Sequence, residues 1–263
     1  MITVQKYVRA KSLEEAYTLN QSRRNRIMGG MLWMKMSRAG IDTAIDLTDL
    51  SLDSIEETED AFLIGAMATL RDLELHPALN AYSENAVKNA VKDIVGVQFR
   101  NMATLGGSLW GRFGFSDVLT VFLCMDAYVE LYKGGVIPLE AFSKMKPDRD
   151  ILIRLIVKKT PGRFAYTAMR NQRTDFPVLT CAVSKIGDDY RAAIGARPSR
   201  ALIVRDDQGL LKGGINGETA KAFAAYASEI ALTGSNHRAS AEYRKHLIKV
   251  LTNRSILQLG GEE

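Results

Sequence analysis

Residues 95–109 read VGVQFRNMATLGGSL, and this stretch decides how the rest of the chain is interpreted. It contains the pair Gly106-Gly107, placed where a strand is expected to pass into a loop. A second pair, Gly29-Gly30, follows a short strand predicted at Arg26–Met28. Glycine accepts positive φ and lets a ligand approach main-chain N–H groups closely. The main-chain N–H groups of two such loops could bind a pyrophosphate from opposite sides.

Glycine pairs alone are weak signals, because most of them are simple turns. Gly134-Gly135 and Gly213-Gly214 are interpreted as such turns. The sequence contains no G-x-G-x-x-G, which argues against a Rossmann dinucleotide site.

Composition places the chain among ordinary folded proteins. It has 263 residues, of which 46% are hydrophobic and 25% charged, with a formal net charge of +5. The one short basic run, Arg23–Arg26, predicts a solvated loop, since a nucleic-acid groove would need more such runs. The N-terminal residues lack the pattern of a signal peptide. No stretch approaches the ~20 apolar residues of a membrane span, and we expect a cytoplasmic protein.

The cysteine and histidine content limits the chemistry of the side chains. Cys124 and Cys181 are the only cysteines, and both lie in apolar runs, which predicts core packing in a reducing compartment. An iron–sulfur cluster requires about four cysteines. The three histidines show no metal-ligand spacing, so no metal site is expected. If the protein is an enzyme, a cofactor must supply its reactivity.

The order of predicted elements indicates two domains, 1–160 and 161–263, divided near Thr160-Pro161-Gly162 where helix and strand breakers cluster. The Ser12–Glu15 segment predicts a capped helix start. In the first domain, strands are expected at 26–28, 44–47, 61–66, 126–132 and 151–157, and helices at 69–75, 84–94 and 117–125. In the second, strands at 165–169, 178–186 and 190–194 precede helices at 218–232 and 239–253. This order predicts a small α+β domain.

Residues 95–109 also resemble a segment of a known family when read with the residues that follow them. Ser116-Asp117 and then Leu123–Ala127 come at the distance at which the flavin subunits of molybdenum hydroxylases have their D-P-A-A-D-like loop and A-L-D-A strand. This family includes the medium subunit of carbon monoxide dehydrogenase and the FAD subunits of xanthine and nicotinate dehydrogenases. Further ordered similarities cover nearly the whole chain, at 27–30, 44–50, 64–70 and 237–247.

The resemblance implies an α+β protein that binds FAD. The expected architecture is a two-subdomain FAD-binding fold of the PCMH/vanillyl-alcohol-oxidase type, followed by a small α+β C-terminal domain. The FAD diphosphate would lie on main-chain amides of two loops, with Thr104 donating a hydrogen bond to a phosphate oxygen. The first loop consists of Gly29, Gly30, Met31 and Leu32, flanked by Met28 and Trp33, and the second of Gly106, Gly107 and Ser108.

Three charged residues are assigned to the cofactor by the same resemblance. Asp117 matches the acid that contacts the ribityl or ribose hydroxyls, although it could equally be the N-cap of the helix that follows. Arg170 or Arg173 would lie near the flavin pyrimidine edge and stabilise the anionic reduced flavin. A solvated turn would account for these two arginines equally well.

Two loops depart from the family pattern. The first reads MGGML where relatives have A-G-G-T-D, so Met31 and Leu32 replace two polar residues. The second continues into the aromatic segment Trp110–Phe115 where relatives have small polar residues and a proline. These aromatic residues could stack on a ring, line an interface or simply pack.

The resemblance predicts a subunit that transfers electrons and does not hydroxylate substrate itself. An iron–sulfur subunit would pass electrons from a molybdenum-cofactor subunit to FAD on this chain, and FAD would pass them to NAD+ or another acceptor. The alternative is a scaffold or assembly subunit of the same complex that has lost tight FAD binding, which the MGGML loop suggests. A nucleic-acid-binding domain rests on the basic character alone and is the weakest reading.

Overall fold

A computed structural model describes residues 2–261 of the chain. The strands are β1 Thr3–Arg9, β2 Arg26–Met28, β3 Gly40–Asp46, β4 Ile55–Glu57, β5 Ala61–Gly65, β6 Ala127–Leu131, β7 Gly135–Pro138, β8 Leu152–Lys158, β9 Gly162–Arg170, β10 Pro177–Ile186, β11 Asp189–Gly195 and β12 Leu202–Arg205. The α-helices are α1 Leu13–Asn20, α2 Leu70–Leu75, α3 Pro77–Tyr82, α4 Ala86–Val91, α5 Val97–Arg100, α6 Leu105–Trp110, α7 Asp117–Leu123, α8 Leu139–Lys144, α9 Gly217–Ile230 and α10 Ala241–Gly260. None of the helices described is both long enough and apolar enough to span a bilayer.

The chain divides into two compact units. Unit 1 comprises the residues up to Asp72 together with Val97–Gly111 and Ala127–Val157. Unit 2 comprises Leu73–Gly96, Arg112–Asp126 and the residues from Lys158 onward. Two segments from the first half of the chain thus belong to unit 2, and the division of the sequence into domains 1–160 and 161–263 stays a prediction.

Unit 1 begins with a small parallel sheet in the order β1-β3-β2. Helix α1 connects the two outer strands. The Ser12 hydroxyl accepts a hydrogen bond from the Glu15 amide at 3.1 Å, and the Glu15 carboxylate accepts one from the Lys11 amide at 2.8 Å. The first bond satisfies an amide that the first turn leaves free, the second ties the residue before the N-cap to the helix, and the predicted helix start is confirmed. Fully buried Ile45 and Ala16 belong to the core beneath the sheet.

A second sheet of unit 1 has the strand order β4-β5-β8-β6-β7. Its strand β6 alternates between buried and partly buried positions, which confirms the predicted period of two. The hairpin from β6 to β7 turns at Gly134-Gly135, where Gly135 has φ +66°. This glycine pair is a turn, as predicted. The Asp150 carboxylate fixes the turn by accepting a 2.7 Å bond from the Gly134 amide.

The other two glycine pairs of unit 1 meet the backbone of neighbouring segments. A Cβ added to Gly30 would lie 1.8 Å from the Met102 carbonyl oxygen, and one added to Gly106 would lie 2.7 Å from the Ala66 carbonyl oxygen. Neither pair has positive φ, so glycine is required here by close approach and not by backbone conformation. The prediction that Gly106-Gly107 follows a strand is wrong, because the pair lies in the first turn of α6.

Unit 2 is built on an antiparallel sheet in the order β12-β11-β10-β9. Neighbouring residues of β10 point to opposite faces: Cys181 contacts Thr252 of α10, and Thr180 contacts Thr120 of α7. Helices therefore cover both faces, with α7 on one and α10 on the other, where α9 packs against α10 and shares its core. The predicted strands and the two C-terminal helices are confirmed. Both cysteines are buried, also as predicted.

A buried polar network joins α7 to β9 within unit 2. The Asp117 carboxylate accepts hydrogen bonds from the Tyr166 hydroxyl and, at 2.5 Å, from Nη2 of Arg170. Burial raises the pKa of Asp117 to about 6, although Arg170 and Tyr166 act in the opposite direction. The interpretation of Asp117 as N-cap is wrong, because the Ser116 hydroxyl accepts the Leu119 amide and Asp117 is the first helical residue.

Gly30→Ala should destabilise the protein. The added Cβ would overlap the Met102 carbonyl oxygen and force the backbone apart, at a cost of about 1–3 kcal/mol. Urea unfolding monitored by circular dichroism measures this difference. Gly213→Ala is the matched control, since nothing lies within 4 Å of its Cβ position, and it should change stability by less than about 0.5 kcal/mol. Equal stabilities for the two variants would rule out the close approach.

Asp117 should make the free energy of unfolding depend on pH. Its pKa of about 6 in the folded chain exceeds the value of about 4 in an unfolded chain, so folding favours its protonated form. Relative to Asp117→Asn, the wild-type protein should therefore lose about 2–3 kcal/mol of stability as pH rises from 4 to 7. Urea titrations of both proteins across this range measure the difference. A difference independent of pH would show that the carboxyl keeps an ordinary pKa.

Candidate cofactor site

Unit 1 contains a cleft of about 490 Å³, within the range of small-molecule sites. One wall is the end of β2 with Gly29, and another is the start of α6 with Thr104 and Trp110. The segment Pro147–Leu152 forms a third. The lining residues are Asn20, Asn25, Arg26, Ile27, Met28, Gly29, Met34, Leu47, Ala66, Met67, Thr104, Gly106, Gly107, Trp110, Pro147, Asp148, Arg149, Asp150, Ile151 and Leu152.

Thr104 lies where the two glycine loops converge. A Cβ on Gly29 would be 2.8 Å from its Oγ1. The same oxygen accepts a 3.1 Å bond from the Gly107 amide and caps α6. A hydroxyl can accept and donate at once, and the Thr104 hydroxyl donates to no acceptor within residues 2–261. Thr104 therefore keeps a donor for an oxyanion in the cleft.

The two predicted amide sets differ in what they can offer a ligand. In the second loop all three amides already donate within the chain: Gly106 to the Ala66 carbonyl at 2.8 Å, Gly107 to Thr104, and Ser108 to the Thr104 carbonyl at 3.1 Å. In the first loop the amides of Gly30, Met31 and Leu32 have no acceptor in the described part of the chain. Met31 has φ +57°, a turn geometry in which successive N–H groups form an anion-binding concavity.

The residues around the first loop separate into two groups. Met28 and Gly29 line the cleft. Gly30, Met31 and Leu32 continue directly from Gly29 but do not line it, and the side chain of Trp33 is exposed. The first loop therefore has main-chain donors. The side chains of Met31 and Leu32 have no N–H or O–H group to add to them.

Arg149 is a cleft residue that the sequence interpretation missed. Its guanidinium donates to the carbonyl oxygens of Asn20 and Ser22, both at 2.7 Å, and to that of Arg23 at 2.7 Å. It thereby holds the loop that was predicted to be solvated against the 147–152 wall. The only sequence signal was the Pro147-Asp148 pair ahead of a strand, which by itself indicates a turn.

The remaining cleft surface is mostly apolar. Met28, Met34, Leu47 and Met67 line it together with Trp110. The Trp110 ring packs on Phe142 at a centroid distance of 5.9 Å, which fixes its orientation. Of the three aromatic residues in segment 110–115, Trp110 belongs to this unit, and Phe113 and Phe115 belong to unit 2. A ligand with an apolar body and an anionic group fits this combination of walls and donors.

The three charged residues assigned by resemblance all belong to unit 2, where the structure joins two of them. Asp117 and Arg170 form a buried ion pair at 2.5 Å, with side chains 6% and 8% exposed. Arg170 also donates to the Asp175 carbonyl at 2.7 Å. Arg173 lies apart from them, 81% exposed, with Asp93 as its partner. Their roles toward a cofactor stay predictions.

The free amides, the Thr104 hydroxyl and the apolar walls fit a diphosphate cofactor such as FAD. A diphosphate needs N–H and O–H donors, which the first loop and Thr104 supply. No group of three or more His, Cys, Asp or Glu residues that could hold a metal ion occurs within residues 2–261.

Comparison with known proteins agrees with this assignment. Residues 3–159 match the family described as FAD binding domain in molybdopterin dehydrogenase, and residues 164–259 match the CO dehydrogenase flavoprotein C-terminal domain. The chain is 27% identical over 256 residues to YgfM of Escherichia coli, covering 94% of this chain and 93% of that protein. It is 27% identical to the nicotine 6-hydroxylase medium subunit of Paenarthrobacter nicotinovorans, covering 86% and 85%.

The fold is also found among solved structures. A chain of carbon monoxide dehydrogenase from Hydrogenophaga pseudoflava superposes with a TM-score of 0.84 at 22% identity, covering 98% of both chains. Together with the two family matches, this similarity confirms the predicted fold class, an FAD-binding part followed by an α+β C-terminal part. Because the two family matches together cover nearly all of the sequence, the chain belongs to the FAD-binding flavoprotein subunits of the molybdenum hydroxylases.

Proposed function

We propose that this chain transfers electrons within a multi-subunit hydroxylase of the xanthine dehydrogenase-like kind. In this proposal an iron–sulfur subunit delivers electrons that a molybdenum-cofactor subunit has taken from the substrate. The chain holds FAD, which when bound accepts two electrons and passes them to NAD+ or another acceptor. The observation that carries the proposal is the Thr104 hydroxyl, which lines the cleft next to Gly29 and keeps a free donor; the Gly30–Leu32 amides follow Gly29 directly in sequence.

The chain's own residues position the cofactor. The amides of Gly30, Met31 and Leu32 are neutral N–H donors. They can bind an anion without a change in their own protonation. The Thr104 hydroxyl lies beside Gly29, is oriented by the bond it accepts from Gly107, and would donate to the same anion. The apolar walls, including Met67 and Trp110, exclude water from a bound ligand.

The cysteines support the assignment of the iron–sulfur clusters to a partner. Cys124 donates to the Ala182 carbonyl, and Cys181 contacts the Thr252 hydroxyl. Burial raises the pKa of each thiol to about 12, so both stay protonated at neutral pH. Cluster ligands are thiolates, and about four are needed. A subunit that receives electrons from iron–sulfur clusters must therefore receive them from another chain.

The alternative is a scaffold subunit of the same complex with weakened FAD binding. Two observations favour it: the second-loop amides already donate within the chain, and Met31 and Leu32 replace polar residues of the family loop. The two proposals differ in the affinity for FAD, which can be measured directly.

The purified chain should bind one equivalent of FAD non-covalently. The Thr104 hydroxyl should donate a hydrogen bond to the cofactor. Thr104→Val removes the hydroxyl donor and should weaken FAD binding about tenfold, corresponding to roughly 1–1.5 kcal/mol for one hydrogen bond. Thr104→Ser keeps the hydroxyl and should bind within about twofold of the wild type. Quenching of flavin fluorescence measures the affinities, and acid precipitation should release all the flavin. Weak binding by the wild-type chain would favour the scaffold alternative.

The chain should co-purify with two partners from its native host. We expect a small cysteine-rich iron–sulfur protein and a large molybdenum-cofactor protein, identified by mass spectrometry after affinity purification. The isolated chain should oxidise no purine or aldehyde, but should reduce a dye slowly with NADH if NAD+ is the acceptor. Recovery of a lone chain that carries flavin and oxidises substrate would instead indicate a self-contained flavoenzyme.

A further inference from the structure

A second cavity, of about 450 Å³, lies wholly within unit 2. Its walls are the segment 112–115, the start of β10 and the loops 196–200 and 236–244. Four of its lining residues are arginines, namely Arg112, Arg200, Arg238 and Arg244, and none of the lining residues described is an Asp or Glu. A concave surface with several cations and no lining acid favours an anionic ligand.

Arg244 is the most buried of these cations, at 1% exposure. Its guanidinium donates to the carbonyl oxygens of Val178, Gly234 and Ala239 at 2.6–2.9 Å and to Oδ1 of Asn236 at 2.7 Å. All four acceptors are neutral, so hydrogen bonds hold the side chain but no carboxylate balances its charge. Isolated buried charges are costly and are ordinarily paired.

Arg238 adds a second cation beside the first. Its proximity contributes to lowering the pKa of Arg244, after burial, which is the larger cause. Its Nη2 is 3.4 Å from the Asp175 carboxylate, a long contact for an ion pair with hydrogen-bond geometry. Its Nε is buried and finds no acceptor within residues 2–261. Of these two neighbouring guanidinium groups, Arg238 therefore has one distant carboxylate partner, and the four acceptors of Arg244 are all neutral.

Three aromatic rings, those of Phe113, Phe115 and Phe176, line the cavity together with the arginines. The Arg238 guanidinium lies over the Phe176 ring at 4.9 Å. Phe115 contacts Phe176 edge to face at a centroid distance of 4.8 Å and stacks on Phe113 at 5.2 Å. The cavity thus places flat apolar surface next to its positive charge, a combination suited to a ring that carries an anionic group.

The walls are fixed by main-chain contacts rather than by side chains. The Ala196 amide donates to the Gly114 carbonyl at 2.6 Å, and a Cβ on Gly114 would lie 2.2 Å from the Ser199 carbonyl oxygen. The two loops consequently cannot separate or collapse without breaking backbone contacts. A cavity held open in this way is available to a ligand without prior rearrangement.

We propose that this cavity binds an organic oxyanion attached to a flat ring, an aromatic phosphate or carboxylate, with Arg238 and Arg244 at the oxyanion and Phe176 against the ring. The proposal is independent of the electron-transfer function, since it uses none of the residues that line the cleft of unit 1.

Isothermal titration calorimetry of the full chain saturated with FAD tests this proposal. Saturation with FAD is included to occupy the proposed diphosphate donors of the first loop, and the flavin absorbance reports FAD occupancy separately. The probes are phenyl phosphate, benzoate, inorganic phosphate and phenol. We expect phenyl phosphate and benzoate to bind one per chain, phenyl phosphate at least tenfold more tightly than inorganic phosphate, and phenol to give no measurable heat.

Three variants locate the site. Arg238→Gln should weaken phenyl phosphate binding at least tenfold. Phe176→Leu should reduce the affinity for phenyl phosphate to about that for inorganic phosphate, whose own affinity should not change. The matched control Arg163→Gln removes a half-exposed charge of unit 2 that pairs with Glu84 and does not line the cavity, and it should bind like the wild type.

Three outcomes would overturn the proposal. The first is the absence of heat with phenyl phosphate and benzoate. The second is unchanged affinity in both Arg238→Gln and Phe176→Leu, which would place the anion elsewhere on the chain. The third is an equal loss in Arg163→Gln, which would indicate a general effect of net charge.

Discussion

The cleft of unit 1 depends on two close contacts between main-chain segments. Gly30 approaches the Met102 carbonyl and Gly106 the Ala66 carbonyl so closely that no side chain fits between them. These contacts bring three segments distant in sequence to one cleft and place the Thr104 hydroxyl at their junction. Van der Waals repulsion rises so steeply with overlap that even a methyl group must displace backbone here. The position of the cleft thus depends on the absence of a side chain at Gly30 and at Gly106.

The two cavities use different donors for anionic groups. In unit 1 the donors near the cleft are neutral amides and a hydroxyl. The Arg149 guanidinium donates its hydrogen bonds to carbonyl oxygens of the chain. In unit 2 the cavity walls carry guanidinium groups, of which Arg244 is balanced by neutral acceptors alone. Neutral donors bind through geometry at short range, whereas cations also act at longer range and are weakened by salt. The two cavities should therefore respond differently to ionic strength.

Local sequence patterns predicted most of the strands and helices. They could not predict which hydrogen-bond donors stay free, which residue caps α7 or which face of α10 is buried. The glycine pairs indicated close approach, yet which amides remain free depends on carbonyls of Ala66 and Thr104 that only the folded chain brings near. Asp117 and Ser116 could both cap α7 by propensity, and burial against Tyr166 decided between them. On α10, Tyr243 has the helical spacing of the buried Leu247 and Leu251 but is itself 40% exposed. The buried face of that helix is partly polar, with Arg244 and Thr252 on it, so hydrophobic spacing could not locate it.

Arg149 has a consequence for how the protein acquires its structure. Its bonds to the carbonyls of residues 20–23 span 126–129 residues of sequence. During synthesis the N-terminal loop emerges long before its partner, so it must wait for more than half of the chain before its final hydrogen bonds can form. Contacts of such long sequence separation close slowly because the loop entropy is lost before the bonds are gained. The cleft should consequently be among the last parts of unit 1 to mature, and cofactor loading should follow translation rather than accompany it.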